Sequence, residues 1–306
     1  ATHTEIAQIP VTGDQPYSVA VTSDGEHAIV GVINDAVFSS FSVIDLDTLT
    51  EAYTIDSASQ GATGGYATPE YGIFGDSFTA FALSADGTKI IYPQRFEDRI
   101  YIYDIATGAE LAALATFDQP AAVDVSPVGN FAVVSYEVAT RRVARVDLAT
   151  NTVGTSFSTS ADNFWSRVRV TPDGTHAIVS QLNEIEFVNL TTGALTRIST
   201  GSPGDIEFSA DNQFAFISNF NSRVINLASR TQVASITFAA CAEAVTSPTA
   251  NIAIALNNRF GEDVQVYNIN GASSSFLGFS LTGLGKESDS TRELAITPDG
   301  ETVFFG

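Results

Sequence analysis

Cysteine occurs once in the 306 residues, at Cys241, and methionine not at all. A single thiol excludes an internal disulfide and every zinc or iron–sulfur site that needs several cysteines. Lysine is almost missing as well, present only at Lys89 and Lys286, and 14 Lys+Arg stand against 35 Asp+Glu for a net charge of −21. That surface repels phosphate backbones and argues against nucleic acid as a partner. No run approaches the ~18 consecutive apolar residues of a membrane span, so no membrane insertion is expected. No segment carries a convincing amphipathic-helix period either. What remains, with 44% hydrophobic residues, is a globular chain long enough to bury a sizeable core. It opens Ala1-Thr2-His3 without methionine, as after signal-peptide cleavage, and with its acid excess this predicts an exported protein: extracellular, periplasmic or on the cell surface.

The main signal is a repeat. An apolar-alternating run, a tight turn and a second apolar run recur around Ser23-Asp24-Gly25, Ala85-Asp86-Gly87, Pro127-Val128-Gly129, Pro172-Asp173-Gly174, Ala210-Asp211-Asn212, Pro248-Thr249-Ala250 and Pro298-Asp299-Gly300. The last turn residues are separated by 62, 42, 45, 38, 38 and 50 positions. The period of about forty is that of a four-stranded propeller blade. Between these hairpins lies a second unit, an alternating strand ending in Asp or Asn plus an apolar residue, as in Arg99–Ile105 before Ala106-Thr107-Gly108 and Ile185–Leu190 before Thr191-Thr192-Gly193. Short runs of Val, Ile, Phe and Tyr bounded by Gly, Asn, Asp and Thr are strands and hairpins. The reading is all-β: a seven-bladed β-propeller of four-stranded antiparallel blades, one domain over 1–306. Seven first hairpins but six second ones leave the last blade short, and the orphan run Thr4–Val11 is expected to close it as its outermost strand. One strand is then still missing, an expectation met by further chain beyond Gly306 or by strand donation from a partner.

The cadence Val-Ala-Val-Thr-Ser-Asp-Gly-Glu-His-Ala-Ile-Val, followed by Ser-Val-Ile-Asp-Leu-Asp-Thr-Leu-Thr, resembles the YVTN-type repeat of lactonase-like and surface-layer-type β-propellers over nearly the whole chain. The resemblance implies fold more than function, because the recurring residues are turn and core residues. Lactonases of this kind use acid, arginine and histidine side chains at the channel mouth. Here His27 and His176 sit just after Asp-Gly turns, at the far end, and His3 is terminal. Histidine-dependent base catalysis and a Ser-His-Asp triad are therefore not expected.

Aligned on their turns, the innermost strands place Ser18, Ala80, Ala122, Arg167, Asp205, Glu243 and Glu293 at one mouth position, and Ala20, Ala82, Asp124, Arg169, Glu207, Val245 and Ala295 two residues on. Charge thus gathers on consecutive blades. One reading is a polar pocket in which Asp205, Glu243 and Glu293 supply hard oxygen ligands to Ca²⁺ while Arg167 or Arg292 binds an anionic group. The other is that these charges only pair between neighbouring blades. Loop insertions add Tyr66 and Tyr71 within 57–77, Trp165 beside Arg167, and Arg259 as candidate ligand contacts or surface anchors. Cys241 reads as a small buried residue. The functional expectation is a non-enzymatic binding or scaffold propeller of a cell-surface or extracellular assembly, engaging another protein chain or an extracellular polysaccharide. The competing expectation is a carboxylate- or metal-dependent hydrolase or lyase acting on a sugar or lactone at the channel mouth.

Overall fold

The computed structural model describes residues 6–13, 15–34, 38–56, 81–94, 97–116, 119–136, 142–159, 167–180, 184–199, 204–218, 221–237, 241–257, 263–281 and 294–305. They form seven antiparallel sheets in chain order and, among the described residues, no α-helix. Six sheets have four strands joined in sequence, covering 15–56, 82–115, 120–158, 167–199, 206–237 and 241–281; the seventh pairs Leu294–Ile296 with Val303–Phe305. The arrangement is a seven-bladed β-propeller. First strands of successive blades approach one another from blade 2 through blade 7, which identifies them as the innermost strands.

Local chemistry sets the blade. Gly25, Gly87, Gly129, Gly174, Asn212 and Gly300 all have positive φ, which glycine and asparagine adopt at least cost. Ala250 closes the sixth turn differently: the Ser247 hydroxyl accepts from the Thr249 and Ala250 amides. The second hairpins turn through Leu49, Gly108, Asn151, Gly193, Arg230 and Gly271, also at positive φ. The sixth blade starts its inner strand at Cys241.

Six apolar clusters fill the spaces between consecutive blades, from blades 1 and 2 to blades 6 and 7. Each fully buried Ile or Phe there contributes roughly 1.5–3 kcal/mol. Inner-strand residues alternate in direction. Val123, Val168, Ile206 and Leu294 pack against the preceding blade, whereas Ala20, Ala122 and Val245 pack against the following one.

By that alternation Val19 and Val21 face blade 7, yet they are 55% and 56% exposed where Val123 is 1% exposed. Phe304 on blade 7 is 52% exposed, and a Cβ on Gly25 meets nothing within 4 Å. Among the described residues no apolar cluster joins blade 7 to blade 1. The expected closing strand is corrected here: residues 6–11 pair with no sheet, and Ile6 is 81% exposed. Pro10 lacks the amide that a ladder needs, and Thr12 instead donates through its amide and hydroxyl to Glu51 of blade 1, at 2.9 and 2.7 Å.

Candidate functional site in the channel wall

The inner-strand alternation that sends Val168 and Val170 into the core between blades 3 and 4 turns Arg167 and Arg169 toward blade 5. Blade 5 answers with Asp205, just ahead of its inner strand, and Glu207 within it. Arg167 Nη1 lies 3.0 Å from Asp205 Oδ1, and Arg169 Nη1 lies 3.5 Å from Glu207 Oε1. Two rungs of opposite charge therefore bridge one boundary between blades.

The acids reach further than these rungs. Asp205 Oδ1 accepts its neighbour's amide, Ile206 N, at 2.9 Å, and Oδ2 accepts the Ala244 amide of blade 6 at 3.4 Å. Its own amide donates to Ser218 Oγ at 3.0 Å. Glu207 Oε2 accepts the Thr246 hydroxyl of blade 6 at 3.3 Å. On the other side, Asp124 of blade 3 accepts the Val170 amide at 2.6 Å and places Oδ2 at 3.9 Å from Arg169 Nε. Arg169 Nε has no hydrogen-bond partner among the described residues. A continuous polar seam thus crosses the boundaries 3/4, 4/5 and 5/6, while the equivalent places on blades 1, 2, 6 and 7 carry Ala20, Ala82, Val245 and Ala295.

These side chains sit deep in the disc but touch the channel: Arg169 is 35% exposed, Asp124 23% and Glu207 17%. Removal from water raises Glu207 to about 7 against the pull of Arg169, with the charge of Asp205 adding to the rise. Burial also pushes Asp124 above the usual carboxylate range, opposed by Arg169 and the Val170 amide. Arg169 is held more firmly protonated by Glu207 first and then by Asp124. The arrangement is a site where one carboxyl, Glu207, can hold a proton near neutrality.

Of the residues expected from sequence, the structure brings Arg167 and Asp205 together. The Glu243 backbone lies in the inner strand of blade 6, paired with Leu256, and its side chain lies outside the described residues, as do Trp165, Tyr66, Tyr71, Arg259, Arg292 and Glu293 in full. The Ca²⁺ set Asp205, Glu243 and Glu293 is thus described only at Asp205, whose oxygens serve Arg167 and two amides. Among the described residues no group of three His, Cys, Asp or Glu is disposed to hold a metal ion. His176 stands at the turn end of its blade, beside Thr175 and Asn189 and away from Arg167. Asp124, Arg169 and Glu207 were absent from the expected ligand set, although their shared parity with Arg167 and Asp205 on the inner strands marks them.

No protein-family model and no curated protein sequence matches the chain. Solved structures do. A chain of Kuenenia stuttgartiensis hydrazine synthase superposes with a TM-score of 0.70 at 15% identity, covering 99% of this chain and 98% of that one. The WD40 repeats of RRP9 superpose with a TM-score of 0.68 at 10% identity, covering 96% and 88%. At such identities the likeness is one of fold: both support a β-propeller and say nothing about chemistry.

Proposed function

We propose that this chain is an exported, non-enzymatic binding or scaffold propeller of a cell-surface or extracellular assembly, with another protein chain or an extracellular polysaccharide as its partner. One observation carries the reading: the two described mouth charges, Arg167 and Asp205, are engaged with the protein itself. Arg167 pairs with Asp205 at 3.0 Å, and Asp205 reaches on to the Ala244 amide at 3.4 Å, so these groups hold adjacent blades in register. The acid excess and the resemblance of the repeat to YVTN-type, surface-layer-type propellers support the same reading.

One observation favours the alternative of a carboxylate-dependent hydrolase or lyase. Glu207, raised to about 7 by burial, has the protonation behaviour of a general acid, with ionisable Asp124 and Asp205 nearby. A glycoside and lactone panel separates the two. The binding reading expects no turnover by the intact chain, and calorimetric binding of a polysaccharide or partner protein that survives Glu207→Gln. Turnover that disappears in Glu207→Gln while the melting temperature is kept overturns it.

A further inference from the structure

Three carboxylates and two guanidiniums share the channel wall, and the contacts divide them unevenly. Asp205 pairs with Arg167 at 3.0 Å. Asp124 and Glu207 must share Arg169, at 3.9 Å through Nε and 3.5 Å through Nη1. Both contacts are long, and among the described residues Nε is left without a hydrogen bond. One guanidinium lies between two acids on opposite sides, and they share it unequally.

We infer that Arg169 is a proton-gated lever between blades 3 and 5, held by Glu207 when that carboxylate is ionised and drawn to Asp124 when Glu207 carries a proton. Among the described residues, the groups facing Glu207 are few. Blade 4 presents Arg167 and Arg169, blade 3 presents Asp124, its own blade presents Asp205, and blade 6 presents the uncharged Thr246 hydroxyl. Behind it, Phe214–Ile217 is apolar. With Glu207 protonated, Asp124 is the other carboxyl in contact with Arg169 among the described residues, while Asp205 pairs with Arg167. A small movement then closes the 3.9 Å gap into a hydrogen bond from Nε, tightening the boundary 3/4 as 4/5 is released. Burial places the change near neutrality. The lever operates whether or not the channel takes a ligand, so it stands apart from the binding reading.

The Arg169 Nε–H proton reports this directly in a ¹H–¹⁵N spectrum of the intact chain, assigned by its loss in Arg169→Lys. On going from about pH 8 to about pH 6 the signal is expected to move downfield and its exchange with water to slow about tenfold. In Glu207→Gln it should hold the low-pH position at both values. In Asp124→Asn it should not move downfield on acidification. A wild-type signal that stays in place across that range overturns the lever, as does a Glu207→Gln signal that still titrates. A carbon-13 titration of Glu207 in the unmodified protein guards against variants that fail to fold: a midpoint in the ordinary carboxylate range also overturns it.

Discussion

Aspartate and glutamate have opposite fates in the turns and in the channel. At the turns, Asp24, Asp86, Asp173 and Asp211 each accept a Ser or Thr hydroxyl two residues earlier, at 2.5 to 2.7 Å, and an amide two residues later, at 3.0 to 3.1 Å. Hydroxyl donation holds Asp24 and Asp86 below the usual carboxylate range. At Asp173 and Asp211 partial burial pulls upward but the same donors outweigh it. In the channel, burial dominates and raises Asp124 and Glu207. The turn donors are supplied by the repeat itself in the five copies that carry the Asp, whereas Val128 and Thr249 stand in its place in the third and sixth. The channel acids, on blades 3 and 5, depend on residues of blades 4 and 6. Repetition thus builds the ring, and departures from it build the site.

The comparison is most exposed at Arg169. Replacing it with methionine leaves Asp124 and Glu207 without their shared cation, and because Arg169 is 35% exposed the loss is about 2 kcal/mol, below that of a fully buried pair. Urea denaturation measures it. A loss no larger than that of a turn variant such as Asp173→Asn means that the channel acids are no more dependent on their neighbours than the turn acids. Next in size is a test within the turns. Gly174 has φ +69°, and an added Cβ meets Val128 Cγ2 at 2.5 Å, whereas Gly25, with φ +75°, has nothing within 4 Å. Gly25→Ala should cost about 1 kcal/mol for the left-handed backbone, and Gly174→Ala about 1–3 kcal/mol more for overpacking blade 3. Equal losses in thermal unfolding mean that blade 7 packs on the first turn as blade 3 packs on the fourth.

The pH responses should have opposite signs. An Asp held below its ordinary 3.8 contributes stability above that value and loses it as pH falls through the folded value. The melting-temperature gap between wild type and Asp173→Asn should therefore shrink on acidification. Glu207, raised from 4.5 to about 7, contributes its full stability below the unfolded value and loses it as pH rises toward 7. Relative to Glu207→Gln, the wild type should weaken across that window. Gaps that move in the same direction with pH remove the distinction between the two regions.

Much of this was legible in the chain because turns constrain residue type. Asp-Gly and its Ser or Thr partner recur wherever a positive φ and a hydroxyl-to-carboxylate bond are required, so the seven hairpins and their period announce themselves. The site was legible in part. Arg167 and Asp205 stand out as charges at aligned positions; Asp124, Arg169 and Glu207 stand out once strand parity is followed from Val168 and Ile206, which are buried on the opposite face. The N-terminal run Thr4–Val11 misled because alternation alone resembles a strand, while Pro10 and the Thr12–Glu51 contact decide otherwise. Which acid receives which cation depends on distances between blades, and no pattern along one chain encodes them.

The smallest expected effect bears on how far the channel acids differ from the turn acids. Both kinds accept a hydroxyl: Thr171 serves Asp173 at 2.6 Å, and Thr246 serves Glu207 at 3.3 Å. The turn bond is short and comes with an amide donor, whereas the channel bond is long, crosses a blade boundary and is outweighed by burial. Thr171→Val should thus raise the Asp173 midpoint, and Thr246→Val should raise that of Glu207 by less. Carbon-13 titration of the two carboxyls measures both. If Thr246→Val moves Glu207 by as much as Thr171→Val moves Asp173, hydroxyl donation governs the channel as it governs the turns, and burial is not what separates them.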